Sequence, residues 1–135
     1  MRHKYLIALF IFFGSISYAF SQQIYDRSGT LIGRCENGRI YNRSGSFEGK
    51  VVSNRFYDRS GSYLGKEQNN RFYDRTGSYL GYRSGARYYD HSGSYIGQIQ
   101  NGTIYDRSGI MIGRVTKVPE DIVAIIFIFE FFPLK

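Results

Sequence analysis

Residues 54–65 read Asn-Arg-Phe-Tyr-Asp-Arg-Ser-Gly-Ser-Tyr-Leu-Gly, and variants of this stretch recur along the chain every 16 residues. Each copy holds a tyrosine, then Asp or Asn, a variable residue, Ser or Thr, and glycine. The tyrosines of the six copies are Tyr25, Tyr41, Tyr57, Tyr73, Tyr89 and Tyr105. Six copies without an insertion or deletion indicate a tandem-repeat architecture.

Two kinds of turn alternate within the repeat. Asp-Arg-Ser-Gly, as in residues 58–61, favours a type I turn that a glycine with positive φ completes. Eight residues later, pairs such as Asn37-Gly38 favour two-residue hairpin turns, although Ser53-Asn54 and Gly85-Ala86 match that pattern less well. The segments between turns are rich in Tyr, Phe, Ile and Leu, which is strand composition. The sequence therefore predicts an all-β fold, in which six tandem β-hairpin repeats form a radial or rolled-up meander.

A second glycine lies four residues after the first in every repeat, inside a predicted strand, where glycine ordinarily weakens pairing. Its recurrence predicts a bend or bulge at this position, or an aromatic ring lying over the bare backbone. The members of this series are Gly33, Gly49, Gly65, Gly81, Gly97 and Gly113.

The repeat pattern stops after Pro119, and residues 122–132 form an apolar run interrupted by Glu130. The run is too short for a membrane helix and consists almost entirely of β-branched or aromatic residues. Such runs are typical of strands covered on both faces. We expect a C-terminal strand within residues 120–133 that is buried along the centre of the repeat array. A tail that contacts a membrane is the alternative.

The N-terminus has the three zones of a secretory signal peptide: a basic start, an apolar run, and a small-residue segment that ends at Ser21. The favoured cleavage site precedes Gln22, the second choice follows Ala19, and an uncleaved anchor is the alternative. The sequence therefore predicts a signal peptide at 1–21 and a single repeat domain at 22–135, with the repeats at about 22–117. We expect export to the periplasm, the cell surface or the medium.

The chain carries 18 basic and 11 acidic residues, a net charge of +7, which falls to +5 when Arg2 and Lys4 leave with the signal peptide. This charge is compatible with anionic partners such as polysaccharide, but a merely solvated surface is the favoured interpretation, because the basic residues are spread along the repeats and mixed with Asp. Export argues against nucleic acid as a partner. Cys35 is the chain's one cysteine, so no internal disulfide forms, and we interpret it as a small filler residue, with intermolecular pairing as the minor alternative.

The Tyr-Asp-Arg-Ser-Gly-x-x-x-Gly units, the signal peptide and the apolar tail together resemble the bacterial exported repeat proteins called beta-flower proteins, of four- or five-fold order. The resemblance covers about residues 22–132 and implies short hairpins arranged like petals about an axis, without an assigned activity. Residues 101–113 are more distantly similar to the choline- and glucan-binding repeats of cell-wall proteins. The period of 16 residues and the absence of tryptophan depart from that second pattern.

The sequence predicts neither a catalytic site nor a cofactor or metal site. His91 is the one histidine after the signal peptide and replaces an arginine at a hairpin tip, so we interpret it as a solvated variant. The Asp residues of the turns suit calcium in principle, but turn formation already explains them. The candidate ligand contacts are repeated rings that can stack on sugars and turn arginines that a radial fold would bring into a ring. They are Tyr63, Tyr79, Tyr95, Arg59, Arg75 and Arg107.

We therefore expect a non-enzymatic structural or interaction module that binds cell-envelope polysaccharide, or another envelope protein, through many weak sites. The alternative is an envelope-associated protein that is anchored by residues 122–132 and uses its repeats as a spacer. The position of the tail distinguishes these two hypotheses.

Overall fold

A computed structural model describes residues 22–134, so the predicted signal peptide lies outside the described residues. These residues form twelve strands, and each repeat contributes one short and one long strand. Their bounds are β1 Gln22–Asp26, β2 Leu31–Glu36, β3 Arg39–Asn42, β4 Phe47–Val52, β5 Arg55–Asp58, β6 Tyr63–Gln68, β7 Arg71–Asp74, β8 Tyr79–Ser84, β9 Arg87–Asp90, β10 Tyr95–Gln100, β11 Thr103–Asp106 and β12 Met111–Thr116.

The twelve strands form a closed antiparallel barrel. Each strand pairs with its neighbours in sequence, and β1 pairs with β12 to close the ring. The Asp-x-Ser-Gly turns all lie at one end of the barrel, which we call the rim. The two-residue turns lie at the opposite end, which we call the mouth, and the β1–β12 pair completes the circle there. The predicted all-β fold of tandem hairpin repeats is confirmed.

The rim turns have the predicted chemistry. In residues 58–61 the Asp58 carboxylate accepts hydrogen bonds from the backbone N–H groups of Ser60 and Ser62, at 3.0 and 2.9 Å. Gly61 has φ +88°, a conformation that strains any residue with a Cβ. At the mouth, both Ser53 and Asn54 also adopt positive φ, at 51° and 63°, so this pair forms the primed turn that its sequence matched less well.

A bulge interrupts every rim hairpin. Ile24 pairs with Gly33 while Tyr25 pairs with Leu31, so Ile32 is left over between them. Ile32 and Gly33 are both buried in consequence, and the strand turns its bare glycine backbone towards the interior. The predicted bend at the second glycine is therefore confirmed.

The barrel interior holds a continuous apolar core. One inward residue from each short strand, which together we call the waist row, is at most 3 % exposed. The members of the waist row are Ile24, Ile40, Phe56, Phe72, Tyr88 and Ile104. The tail fills the space that this row leaves at the centre.

The tail is buried as predicted, but the predicted C-terminal strand at 120–133 is wrong, because the segment is helical. Helix α1 spans Glu120–Val123, and a π-helical turn spans Ala124–Ile128, where the Phe129 N–H donates to the Ala124 carbonyl at 2.9 Å. We call residues 119–134 the plug. A closed barrel offers no free edge to a thirteenth strand, whose backbone groups would be buried without partners. A helix satisfies its own backbone, and this requirement overrides the β-type composition of the tail.

Large side chains of the plug pack onto five of the six strand glycines, and the predicted packing of rings over bare backbone is confirmed at Gly49, Gly65 and Gly113. A Cβ atom placed on Gly65 would lie 3.0 Å from the Phe131 ring, and one on Gly97 would lie 3.1 Å from Ile128 Cδ1. The remaining contacts are Leu134 on Gly33, Phe132 on Gly49 and Phe127 on Gly113. These five glycines therefore make room for the plug, and Gly65 and Gly97 also make room for a carbonyl oxygen of the neighbouring strand.

The contact between Gly113 and Phe127 gives a direct test of this packing. Gly113→Ala places a methyl group against the Phe127 ring, so we expect the free energy of unfolding to fall by about 1–3 kcal/mol. Phe127→Leu replaces the ring with a shorter side chain. The double variant should therefore lose less free energy of unfolding than the sum of the two single losses. Urea unfolding of all four proteins measures this coupling. Strictly additive losses would show that the two residues do not touch.

Candidate functional site

The outer surface of the barrel carries rows of aromatic rings. Strand alternation buries the waist row and turns the neighbouring tyrosine of each short strand outward, where it is half-buried. This tyrosine packs edge-on against a ring at the start of the next strand, as Tyr57 does on Tyr63, with ring centroids 5.9 Å apart. The same arrangement joins Tyr41 to Phe47, Tyr73 to Tyr79, and Tyr89 to Tyr95.

Basic side chains lie beside these rings on the same outer face. We call the residues Arg39, Lys50, Arg55, Lys66 and Arg71 the basic wall. Lys50 Nζ lies 5.8 Å from the centroid of Tyr57, and Lys66 Nζ lies 5.5 Å from that of Tyr73. Such contacts are favourable but small on an exposed surface, at about 0.5–1 kcal/mol each.

Like charges face each other across the strands of the basic wall. Arg39 is the direct cross-strand partner of Lys50, and Arg55 is that of Lys66. Directly opposed like charges destabilise a sheet. Arg39 also faces Glu36 on β2, whereas the outward positions of β3–β9, all of which the structure describes, hold no acidic residue. A bound anion would relieve this repulsion, so the arrangement suits anion binding better than it suits stability.

The predicted ligand contacts fall into two groups on the barrel. Tyr63, Tyr79 and Tyr95 lie on the outer face, the first two on strands β6 and β8 at the basic wall, and Tyr79 is the most exposed of the three, at 37 %. The predicted arginines instead lie in the rim turns, where all are exposed. They are Arg59, Arg75 and Arg107. Sequence reasoning missed the basic wall, although its arginines recur every 16 residues on the same strand face as the tyrosines.

The rim arginines form the ring that a radial fold implies, but acids alternate with them. After the hydrogen bonds from Ser60 and Ser62, the charge of Arg75 in the next rim turn also lowers the pKa of Asp58. Arg107 likewise adds to the lowering of the Asp90 pKa, after the hydrogen bonds from Ser94 and Ser92. Arg59 pairs with Glu48 at 3.5 Å. The rim is therefore locally neutralised, and the basic wall is the better place for an anionic ligand.

The turn carboxylates have structural tasks. The Ser60 hydroxyl donates to Asp58 at 2.8 Å, and this bond, followed by those from backbone N–H groups, holds the pKa of Asp58 below its usual range. Among residues 22–134, no group of three or more His, Cys, Asp or Glu side chains is placed to hold a metal ion. Cys35 is buried at 1 % exposure, and this burial raises the pKa of its thiol to about 11.

The family model of the 5-fold beta-flower protein matches residues 16–132. The chain belongs to the beta-flower family. This family is not a known enzyme family, and membership identifies the chain as a structural repeat module. No curated protein and no solved structure matched the chain. Over the described residues, the beta-flower barrel has five hairpins with two-residue turns and a sixth pair made by β12 and β1.

A substitution that removes the charge of a turn carboxylate but keeps its shape tests the role of that charge. The folded-state pKa of Asp58 lies below the unfolded value of about 3.9, so its charge stabilises the fold above that pH, and this contribution is lost as pH falls through the folded pKa. Asp58→Asn keeps an acceptor, as Asn42 shows in its own turn, but does not titrate.

We therefore expect Asp58→Asn to be less stable than the wild type near neutral pH and to approach it in acid. Urea unfolding of both proteins at about pH 7 and about pH 2.5 measures the difference in the free energy of unfolding. A difference that stays constant across this range would contradict the assigned role of the charge.

Proposed function

We propose that this beta-flower protein is an exported, non-enzymatic module whose basic wall binds anionic polysaccharide of the cell envelope. The observation that carries the proposal is two pairs of opposed like charges, Arg39 with Lys50 and Arg55 with Lys66, on strands whose outward positions hold no acidic residue. Guanidinium groups suit carboxylate and phosphate oxygens because they donate two parallel hydrogen bonds. The signal-peptide pattern at 1–21 supports export to the periplasm, the cell surface or the medium.

The aromatic pairs on the outer face indicate that the ligand also has a sugar ring. Lys66 Nζ lies 5.5 Å from the Tyr73 centroid, and Arg71 lies 6.0 Å from that of Tyr79, the ring that packs on Tyr73. A sugar ring stacks its apolar face on such rings while its acidic group reaches the cations. Because opposed pairs of cations occur in two adjacent hairpins, one polymer chain can engage more than one weak site at once.

The burial of the tail favours this proposal over anchoring by residues 122–132. Residues 122–126 are at most 5 % exposed, because their side chains face the barrel wall. Among the described residues, no helix is long and apolar enough to cross a membrane. Membrane contact by this tail would require it to leave the core that it forms.

Binding of polygalacturonate, an acidic polysaccharide, tests the proposal, with dextran as the neutral comparison. The double variant Arg55→Gln/Lys66→Gln removes two wall charges, and Arg59→Gln/Arg75→Gln removes two from the rim as a control of equal net charge. We expect the wall variant to bind polygalacturonate at least about tenfold more weakly, because charge-assisted hydrogen bonds are lost. The rim variant should bind nearly as the wild type does.

Calorimetric titration at two salt concentrations measures both effects, since screening weakens a charge-driven interaction. Equal weakening in the two variants would show that only net charge matters and would contradict a wall site. Equal affinity of the wild type for polygalacturonate and dextran would contradict an anionic ligand.

A further inference from the structure

The mouth of the barrel departs from the symmetry of its repeats in one sector. One inward residue from each long strand forms a second ring nearer the mouth, which we call the mouth row. Its members are Cys35, Val51, Glu67, Arg83, Ile99 and Val115. Four of the six are apolar, as a barrel interior requires, and the two charged members, Glu67 and Arg83, are neighbours around the ring.

These charged residues belong to one connected network that ends on the plug. Arg83 donates from Nη1 to Glu120 Oε2 and from Nη2 to Asn70 Oδ1, each at 3.1 Å. The Asn70 N–H in turn donates to Glu67 Oε2 at 2.8 Å. The two charges of the mouth row therefore act together, through the turn between them, to orient a guanidinium towards the first residue of α1.

A second strand holds the other oxygen of Glu120. The Tyr88 hydroxyl donates to Glu120 Oε1 at 3.1 Å, and Tyr88 is the one residue of the waist row that carries a hydroxyl. Burial, followed by the charge of Glu120, raises the pKa of Tyr88, so this hydroxyl stays protonated and remains a donor. Side chains from β8 and β9 thus each donate a hydrogen bond to one oxygen of the Glu120 carboxylate.

Because the barrel is built from similar repeats, the plug could fit into it in several rotational settings. The plug meets the strand glycine in five of the six repeats, with Gly81 the exception, so a rotation by one repeat exchanges most contacts for similar ones. Lys117, Val118 and Pro119 link β12 to α1, and three extended residues span about 10 Å, enough to follow such a step. Apolar packing is non-directional and discriminates poorly between these settings. A directional polar contact present in one repeat alone distinguishes them.

We propose that Glu120, held by Arg83 and Tyr88, selects a single rotational setting of the plug within the barrel. Glu120 is a positioning residue in this account. It specifies which repeat each plug side chain meets, while apolar burial supplies the stability. In the selected setting the Phe129 ring stacks on Phe72 with centroids 4.4 Å apart.

We call the contacts of Glu120 with Arg83 and Tyr88 the latch, and NMR spectra of the intact chain test whether it selects the setting of the plug. Glu120→Ala removes both contacts, and Asp121→Ala is the matched control, since within the described residues the Asp121 carboxylate makes no hydrogen bond or ion pair. We expect Glu120→Ala to remain folded but to give more than one set of resonances for the plug rings, with a weakened Phe72–Phe129 nuclear Overhauser contact. Asp121→Ala should give one set and the full contact.

Charge exchange separates positioning from a general effect of mutation. Arg83→Glu alone should also give several sets of plug resonances, and Arg83→Glu combined with Glu120→Arg should restore one set with the Phe72–Phe129 contact. The proposal is overturned if Glu120→Ala keeps one set and the full contact, or if Asp121→Ala splits the resonances equally. An unfolded Glu120→Ala would also overturn it, since the latch would then supply stability rather than selection.

Discussion

The packing of plug side chains against the backbone of the strand glycines is the contact on which the rest of the structure depends. A barrel of about eight strands is filled by its own side chains, and twelve strands enclose a wider space. The inward glycines widen it further, so the barrel cannot complete a core by itself. The plug supplies the missing apolar volume. Since the closed sheet leaves no edge to pair with, only a segment that satisfies its own backbone can occupy the centre. Closure, bulges, glycines and helical tail are thus consequences of one constraint.

The repeat assigns different tasks to its different faces. Inward positions hold the waist row and the plug, and the turn aspartates accept backbone hydrogen bonds at the rim. Residues on the outward strand face neither pack in the core nor stabilise turns. There Arg55 and Lys66 oppose each other, with no acidic residue at the outward positions beside them. The cation–π contacts of the basic wall are small, so stability gives little reason for its charges, whereas it explains the residues inside. This contrast is why we assign ligand binding to the wall and not to the rim or the core.

Local chemistry made most of the fold predictable from the sequence. The rim turn at 58–61, the bulge beside Gly33 and the rings over the glycine series all follow from what glycine and aspartate do in short turns and strands. The helical plug does not follow, because residues 122–132 have strand composition and only the closed sheet around them forbids a strand. The tyrosines of the outer face were found by their spacing. Arg39 and Lys50 were missed because their opposition across a hairpin depends on register, which the bulges shift. The latch at Glu120 was equally hidden, since its partners lie 32 and 37 residues away.

Deletion of residues 120–135 tests the central claim most directly. Each large apolar side chain removed from a core costs about 2–5 kcal/mol, against a total stability of about 5–15 kcal/mol, so the loss of so many cannot be absorbed. Circular dichroism and gel filtration of the truncated chain measure the outcome. The account predicts a chain that fails to fold or aggregates. A soluble truncation that melts cooperatively as a β-protein would contradict it.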